Sequence, residues 1–169
     1  MRQLLLGAIL ALSLACSSQS TQALTPRQVQ SPAEAVATVD TLLTFTDMAE
    51  ARAVADETGR DILLVFAGSD WCRPCKQFRI SVLEDAGFRQ NLREELVVLY
   101  LDFPSKRRNQ LPEEVQAHHN RYAERYNAEG VFPRLYLLDA EEAVLAELKF
   151  AGEEAPAFES QLRAALASE

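Results

Sequence analysis

Two cysteines three residues apart stand in Trp71-Cys72-Arg73-Pro74-Cys75-Lys76, just after the apolar run 62–66 and at the start of a helical pattern. A helix N-terminus offers unpaired N–H groups and about half a positive charge, both of which stabilise a thiolate. Cys72, at the first position, is expected to be the more acidic and more exposed thiol, and the attacking nucleophile. Cys75, one turn in, is shielded and placed to resolve a mixed disulfide. Pro74 falls in the first turn, where its missing N–H costs little. The alternatives are a pair of core thiols or half of a zinc site. Zinc needs four ligands, the chain has no second Cys-x-x-Cys, and His118-His119 are adjacent rather than spaced for joint ligation. The pattern favours redox chemistry.

A third cysteine makes the count odd, and it belongs with an export signal. Met1-Arg2-Gln3 is a short basic start, followed by 12 mostly apolar residues, 4–15. At about 1.5 Å per residue that run spans roughly 18 Å, too short for a bilayer core of about 30 Å. It reads as a signal peptide over residues 1–15. Ser13-Leu14-Ala15-Cys16 resembles a bacterial lipobox, in which Cys16 is lipidated and becomes the mature N-terminus; cleavage after Thr21-Gln22-Ala23 is the alternative. Residues 17–32 follow, 12 of the 16 being Ser, Thr, Gln or Pro, too polar to offset the entropy of ordering. Residues 16–32 are expected to be a flexible tether, and 33–169 one folded domain.

The remaining composition is ordinary for a globular chain, 48% hydrophobic and 25% charged over 169 residues. A net charge of −8 argues against sequence-independent nucleic-acid binding, which needs clustered cations, and against an electrostatic grip on anionic lipid. Loss of Arg2 with the signal leaves 16 Lys+Arg against 25 Asp+Glu, a mature charge of −9.

The elements that must position the cysteines alternate strand and helix. Residues 41–45 suit a short strand. Asp47-x-x-Glu50 has capping-box spacing before an Ala-rich helix that Gly59 closes. The run 62–66 fits a central strand buried on both faces. Phe78 and Val82, then Phe88 and Leu92, mark the inner faces of the next helical segments. Residues 96–101 form a second buried strand, predicted parallel to the first. Pro112 begins a helix with Val115, His119, Tyr122 and Tyr126 along one stripe. Residues 134–138 and 144–150 read as an antiparallel hairpin, and Pro156 opens a last helix bearing Phe158, Leu162 and Leu166. The fold class is α/β, a mixed sheet covered by helices on both faces.

The stretches Leu63-Leu-Val-Phe-Ala-Gly-Ser-Asp-Trp-Cys-Arg-Pro-Cys-Lys76, Tyr100-Leu-Asp-Phe-Pro104 and Gly130-Val-Phe-Pro-Arg-Leu-Tyr-Leu-Leu-Asp139 together resemble the thioredoxin superfamily. The similarity is to its exported members with a Trp-Cys-x-x-Cys motif, and spans about residues 45–167. It implies a thioredoxin fold with Pro133 as a cis-proline opposite the motif, at a cost of about 0.5–1 kcal/mol for an X–Pro bond. It also implies that Phe132 presents backbone groups to a substrate segment as an added strand would. Trp71, Arg73 and Pro74 are the further residues expected to meet substrate. Two positions depart from the family pattern. Val65 stands where thioredoxin proper keeps a buried Asp that assists the second thiol, and Arg134 stands where it keeps a Thr.

Around the motif, Lys76 favours a thiolate and Asp70 opposes it; both are equally readable as solvated charges. Lys106-Arg107-Arg108 follow the strand 96–101, and parallel strands end on one edge, so this basic loop is expected on the active-site side. A solvated loop is its simplest reading. His119 is expected to be a packed helix residue, not a base.

The resemblance implies a thiol–disulfide oxidoreductase, and the signal and lipobox pattern of residues 1–16 places it on the periplasmic or envelope side, lipid-anchored through Cys16. Its partners would be a protein disulfide substrate and a membrane thiol donor, with no nucleic acid, no metal and no cofactor beyond its own dithiol; a monomer is expected. Pro74 resembles the reducing branch of the family, so reduction of protein disulfides through Cys72 and Cys75 is expected, with an oxidase or isomerase role left open. From other classes, the two thiolates suit a Cu(I) metallochaperone, and the fold suits a redox-silent adaptor.

Overall fold

The computed structural model describes residues 41–168; the expected signal peptide, the tether and Cys16 lie outside them. The elements are β1 (Thr44–Phe45), α1 (Met48–Thr58), β2 (Asp61–Ala67), α2 (Arg73–Phe78), α3 (Ala86–Leu92), β3 (Leu96–Asp102), α4 (Glu113–Tyr126), β4 (Arg134–Leu138), β5 (Val144–Leu148) and α5 (Ala155–Leu166). Helix α2 runs on into a wider π turn, Arg79–Leu83. The sheet order is β1-β3-β2-β4-β5. The first three strands are parallel, β4 is antiparallel to β2, and β5 is antiparallel to β4.

Strand β2 is central, which explains its unbroken apolar run. Leu63, Val65 and Ala67 join a core with Phe78, Val82, Phe88, Leu92, Phe158 and Leu162, so α2, α3 and α5 cover one face. Ile62, Leu64 and Phe66 join Met48, Ala51, Val54 and Ala55, with Tyr122 and Tyr126 packed against them, so α1 and α4 cover the other. The mixed sheet between two helical layers is the fold class the sequence predicts.

Helix ends follow the local chemistry. Asp47 accepts from Ala49 N–H at 2.8 Å and Glu50 N–H at 3.2 Å, and Gly59 closes α1 at φ 66°, a left-handed value that costs glycine nothing. The next orphan N–H of α1, that of Met48, donates to His118 Nε2 of α4 at 3.2 Å. That bond needs an unprotonated ring nitrogen. Burial pushes the His118 pKa below its ordinary value; Asp47 opposes this, and His119 and Arg121 add to it. The unfolded imidazole protonates near 6.5, so the folded state binds fewer protons below that pH. The stability His118 contributes is therefore complete above about pH 6.5 and is lost as pH falls toward the lowered folded value. Urea unfolding at descending pH should show this loss, and His118→Gln, which keeps an acceptor and cannot titrate, should flatten it.

The boundaries differ from the sequence expectation in three places. Strand β1 has two residues instead of five. Pro112 sits just outside α4 as its N-cap, not inside it. Strand β5 stops at Leu148 because Gln161 of α5 takes both backbone groups of Lys149, accepting from its N–H at 2.8 Å and donating to its carbonyl at 2.9 Å.

Candidate active site

Strands β2 and β3 run in parallel with Ala67 opposite Asp102, so the loops that follow them leave from the same edge of the sheet. Side chains stitch these loops together. Asp102 accepts from Ser69 N–H at 2.8 Å and from its hydroxyl at 2.6 Å. The Trp71 indole N–H donates to the Phe103 carbonyl at 2.7 Å. Asp70 accepts from Ser105 N–H at 3.0 Å, Lys106 N–H at 2.9 Å and the Asn109 amide at 2.9 Å.

Asp70 is thus an ionised carboxylate that anchors the loop following β3. Desolvation alone would raise its pKa, but the N–H groups of Ser105 and Lys106, the Asn109 amide and the Ser105 hydroxyl more than offset that and hold it at about 2. Lys76 donates to the Asp70 carbonyl at 3.1 Å. The basic loop is held on the motif side, bonded to the two residues that precede Cys72.

Cys72 and Cys75 are joined by a disulfide, with their Cα atoms 5.3 Å apart. Cys72 is the N-cap of α2: its N–H donates to the Gly68 carbonyl at 2.9 Å, and its sulfur accepts from Cys75 N–H at 3.2 Å. The sulfur therefore occupies the place of a capping oxygen, where an otherwise unpaired N–H of the helix's first turn, that of Cys75, supports negative charge. Cys72 is 4% exposed and Cys75 1%, so the first thiol is less open than the sequence suggests. Its cover is apolar. Both cysteines join the core beneath α2, which Phe132 packs against.

Trp71 is 47% exposed, and its ring meets Phe132 edge-on at 5.2 Å, which in turn meets Phe103 at 5.5 Å. Phe132 is half-buried and joined to Pro133, also half-buried, by a cis peptide bond. Arg73 and Pro74 are exposed beside the disulfide. The residues singled out in the sequence thus share one neighbourhood: the disulfide, an apolar collar of Trp71, Pro74 and Phe132, and a cationic loop. Arg134 is drawn away from it, paired with Glu129 and, at 2.6 Å, with Glu147. Val65 is fully buried between Tyr100 of β3 and Leu135 of β4, so that place offers Cys75 no carboxylate. His119 is buried with its ring nitrogens 2.9 Å from the Asp102 carbonyl and 3.2 Å from that of Thr46, a packing role. Among the described residues, no three His, Cys, Asp or Glu side chains are grouped to hold a metal.

Gly68, four residues before Cys72, is required by the packing of Trp71. A Cβ there would lie 2.3 Å from the Trp71 ring. The indole fills the space a side chain at Gly68 would need. In Gly68→Ala the half-exposed ring must swing out, losing one hydrogen bond and one aromatic contact, roughly 1–3 kcal/mol together. Trp71 is the chain's single tryptophan, so a red shift of its emission and a lowered Tm should report the loss.

Comparison with known proteins decides the family. The model for thioredoxin-like proteins matches residues 44–140. The chain belongs to the thioredoxin-like family. The disulfide bond reductase DsbH of Chlamydia pneumoniae is 32% identical to it over 124 residues, covering 73% of each chain. A solved DsbH oxidoreductase matches this thioredoxin-like chain with a TM-score of 0.68 at 30% identity, covering 76% of this chain and 87% of its own. A Thermus thermophilus thioredoxin, 24% identical with a TM-score of 0.51, shares the fold over 72% of this chain and 85% of its own. With a Cys-x-x-Cys disulfide at the head of α2, this thioredoxin-like protein is a thiol–disulfide oxidoreductase.

Proposed function

We propose that the protein is exported to the cell envelope, held there by lipid on Cys16, and reduces disulfides in other proteins. The observation that carries the chemistry is the Cys72 sulfur at the helix head, accepting the Cys75 N–H. The likeness to a disulfide bond reductase supports the direction, and the pattern of residues 1–16 supports export.

In the reduced protein the Cys72 thiolate attacks one sulfur of a substrate disulfide. A Cys72–substrate bond forms, and the other substrate sulfur leaves as a thiolate. Cys75 then attacks the Cys72 sulfur, closing the disulfide seen here and releasing the second substrate thiolate. Two electrons pass from the dithiol to the substrate, and the two substrate thiolates take up the proton released by Cys75 and one from water, to which Cys72 had already lost its own. Trp71, Pro74 and Phe132 offer the substrate an apolar seat, and the backbone beside Pro133 offers it strand-like pairing. A second protein, a membrane thiol donor, must return the two electrons.

Equilibration with redox buffers tests the direction. A Cys72–Cys75 potential near about −270 mV is expected for a reductant, and one near about −120 mV would make the protein an oxidant.

A further inference from the structure

We propose that the loop 103–110 is a docking rim that selects substrate disulfides flanked by acidic side chains; this rests on the reductase reading above and names its substrate class. The chain as a whole carries −8, yet the two segments that frame the disulfide are cationic. Residues 70–76 and 103–110 contain Arg73, Lys76, Lys106, Arg107 and Arg108 against Asp70 alone, five cations and one acid, or +4.

The one acid is held by the loop itself. Asp70 accepts from the Ser105 and Lys106 amides and from Asn109, so its charge anchors the loop. Most other arginines of the described residues are ion-paired: Arg52 and Arg125 with Glu142, Arg60 and Arg93 with Glu94, Arg79 with Glu84, Arg134 with Glu129 and Glu147, Arg163 with Glu95 and Glu159; Arg89 is bonded to Thr41 and to the Leu42 and Leu83 carbonyls, and Arg121 lies against His118. Arg73, Lys106, Arg107 and Arg108 are exposed, and no ion pair among the described residues uses them.

The loop is also ordered in advance. Arg107–Asn109 form one 3-10 turn, Asn109 N–H donates to the Lys106 carbonyl at 2.8 Å, and the Gln110 amide donates to the Pro104 carbonyl at 2.9 Å. Cations held on a fixed backbone lose less freedom on binding. Their field reaches about 8 Å at physiological salt, enough for a few carboxylates beside a docked disulfide. A long polyanion such as a nucleic acid or a lipid surface would also meet the acidic remainder of the molecule. A short acidic protein segment fits the patch and escapes that repulsion.

The test uses the pre-reduced protein in single turnover, so that its own dithiol supplies both electrons. Three synthetic peptides, each with one disulfide flanked by glutamates, glutamines or lysines, are compared by second-order rate constant. At about 20 mM salt the glutamate peptide should react about tenfold faster than the glutamine peptide, and the lysine peptide slowest, with the spread collapsing near 500 mM. The variant Lys106→Ser/Arg107→Ser/Arg108→Ser should lose most of the glutamate preference. Equal rates for the glutamate and glutamine peptides in the wild type, or a preference undiminished in the variant, would overturn the docking rim while leaving the reductase reading intact. No reduction of any peptide would remove the reductase reading and this inference with it.

Discussion

Cys72→Ser is expected to lower the rate of disulfide exchange by on the order of 10³-fold or more, because a serine hydroxyl is not ionised at the helix head and cannot stand in for a thiolate. Cys75→Ser should behave differently. It keeps the attacking sulfur but removes the one that closes the disulfide, so a Cys72–substrate adduct should accumulate and disappear on adding dithiothreitol. The asymmetry follows from position: Cys72 caps α2 and accepts the Cys75 N–H, whereas Cys75 lies inside the first turn. Non-reducing electrophoresis with a protein substrate reads both variants. An adduct formed by Cys72→Ser but not by Cys75→Ser would assign the attack to the other sulfur.

The second large effect is on stability. Phe78 ends the regular part of α2, is fully buried, and meets Phe150 at 5.1 Å and Phe158 at 5.0 Å, both edge-on. It fastens the helix that carries Cys75 to α5 and to the segment after β5. Phe78→Ala should cost about 3–5 kcal/mol through lost burial and the cavity left behind, against a total of about 5–15 kcal/mol for a domain. A fall in Tm of roughly 10 °C or more is expected. A fall of only a degree or two would mean that α2 is held elsewhere.

Much of this was legible in the sequence, for a physical reason. Buried parallel strands need unbroken apolar runs, and 62–66 and 96–101 supply them; helices need caps and stripes, and Asp47, Gly59, Phe88 and Leu92 supply those. The cysteine pair was legible because its meaning depends only on what precedes and follows it. What escaped depends on contacts across long stretches of chain. Asp70 and Asp102 have no local signature that separates an anchor from a solvated carboxylate; their roles appear once β2 and β3 lie side by side and bring Ser69, Ser105 and Asn109 within reach. The aspartate ending the apolar run Leu-Tyr-Leu-Asp102 was the available hint. Glu142 escaped for a similar reason. It sits at φ 69° in the β4–β5 turn, a conformation few non-glycine residues adopt, and is buried against Arg52 and Arg125. Nothing local in Asp139-Ala-Glu-Glu-Ala143 announces those partners. The low exposure of Cys72 escaped too, because nothing local to residues 71–76 shows how deeply the core closes around it.

The central claim is that the Cys72–Cys75 dithiol gives its two electrons to a protein disulfide. Mixing the fully reduced protein with a stoichiometric amount of insulin and mapping every disulfide by mass spectrometry measures that transfer directly. One insulin disulfide should be lost for each Cys72–Cys75 disulfide formed. Intact insulin beside free thiols at Cys72 and Cys75 would contradict the account.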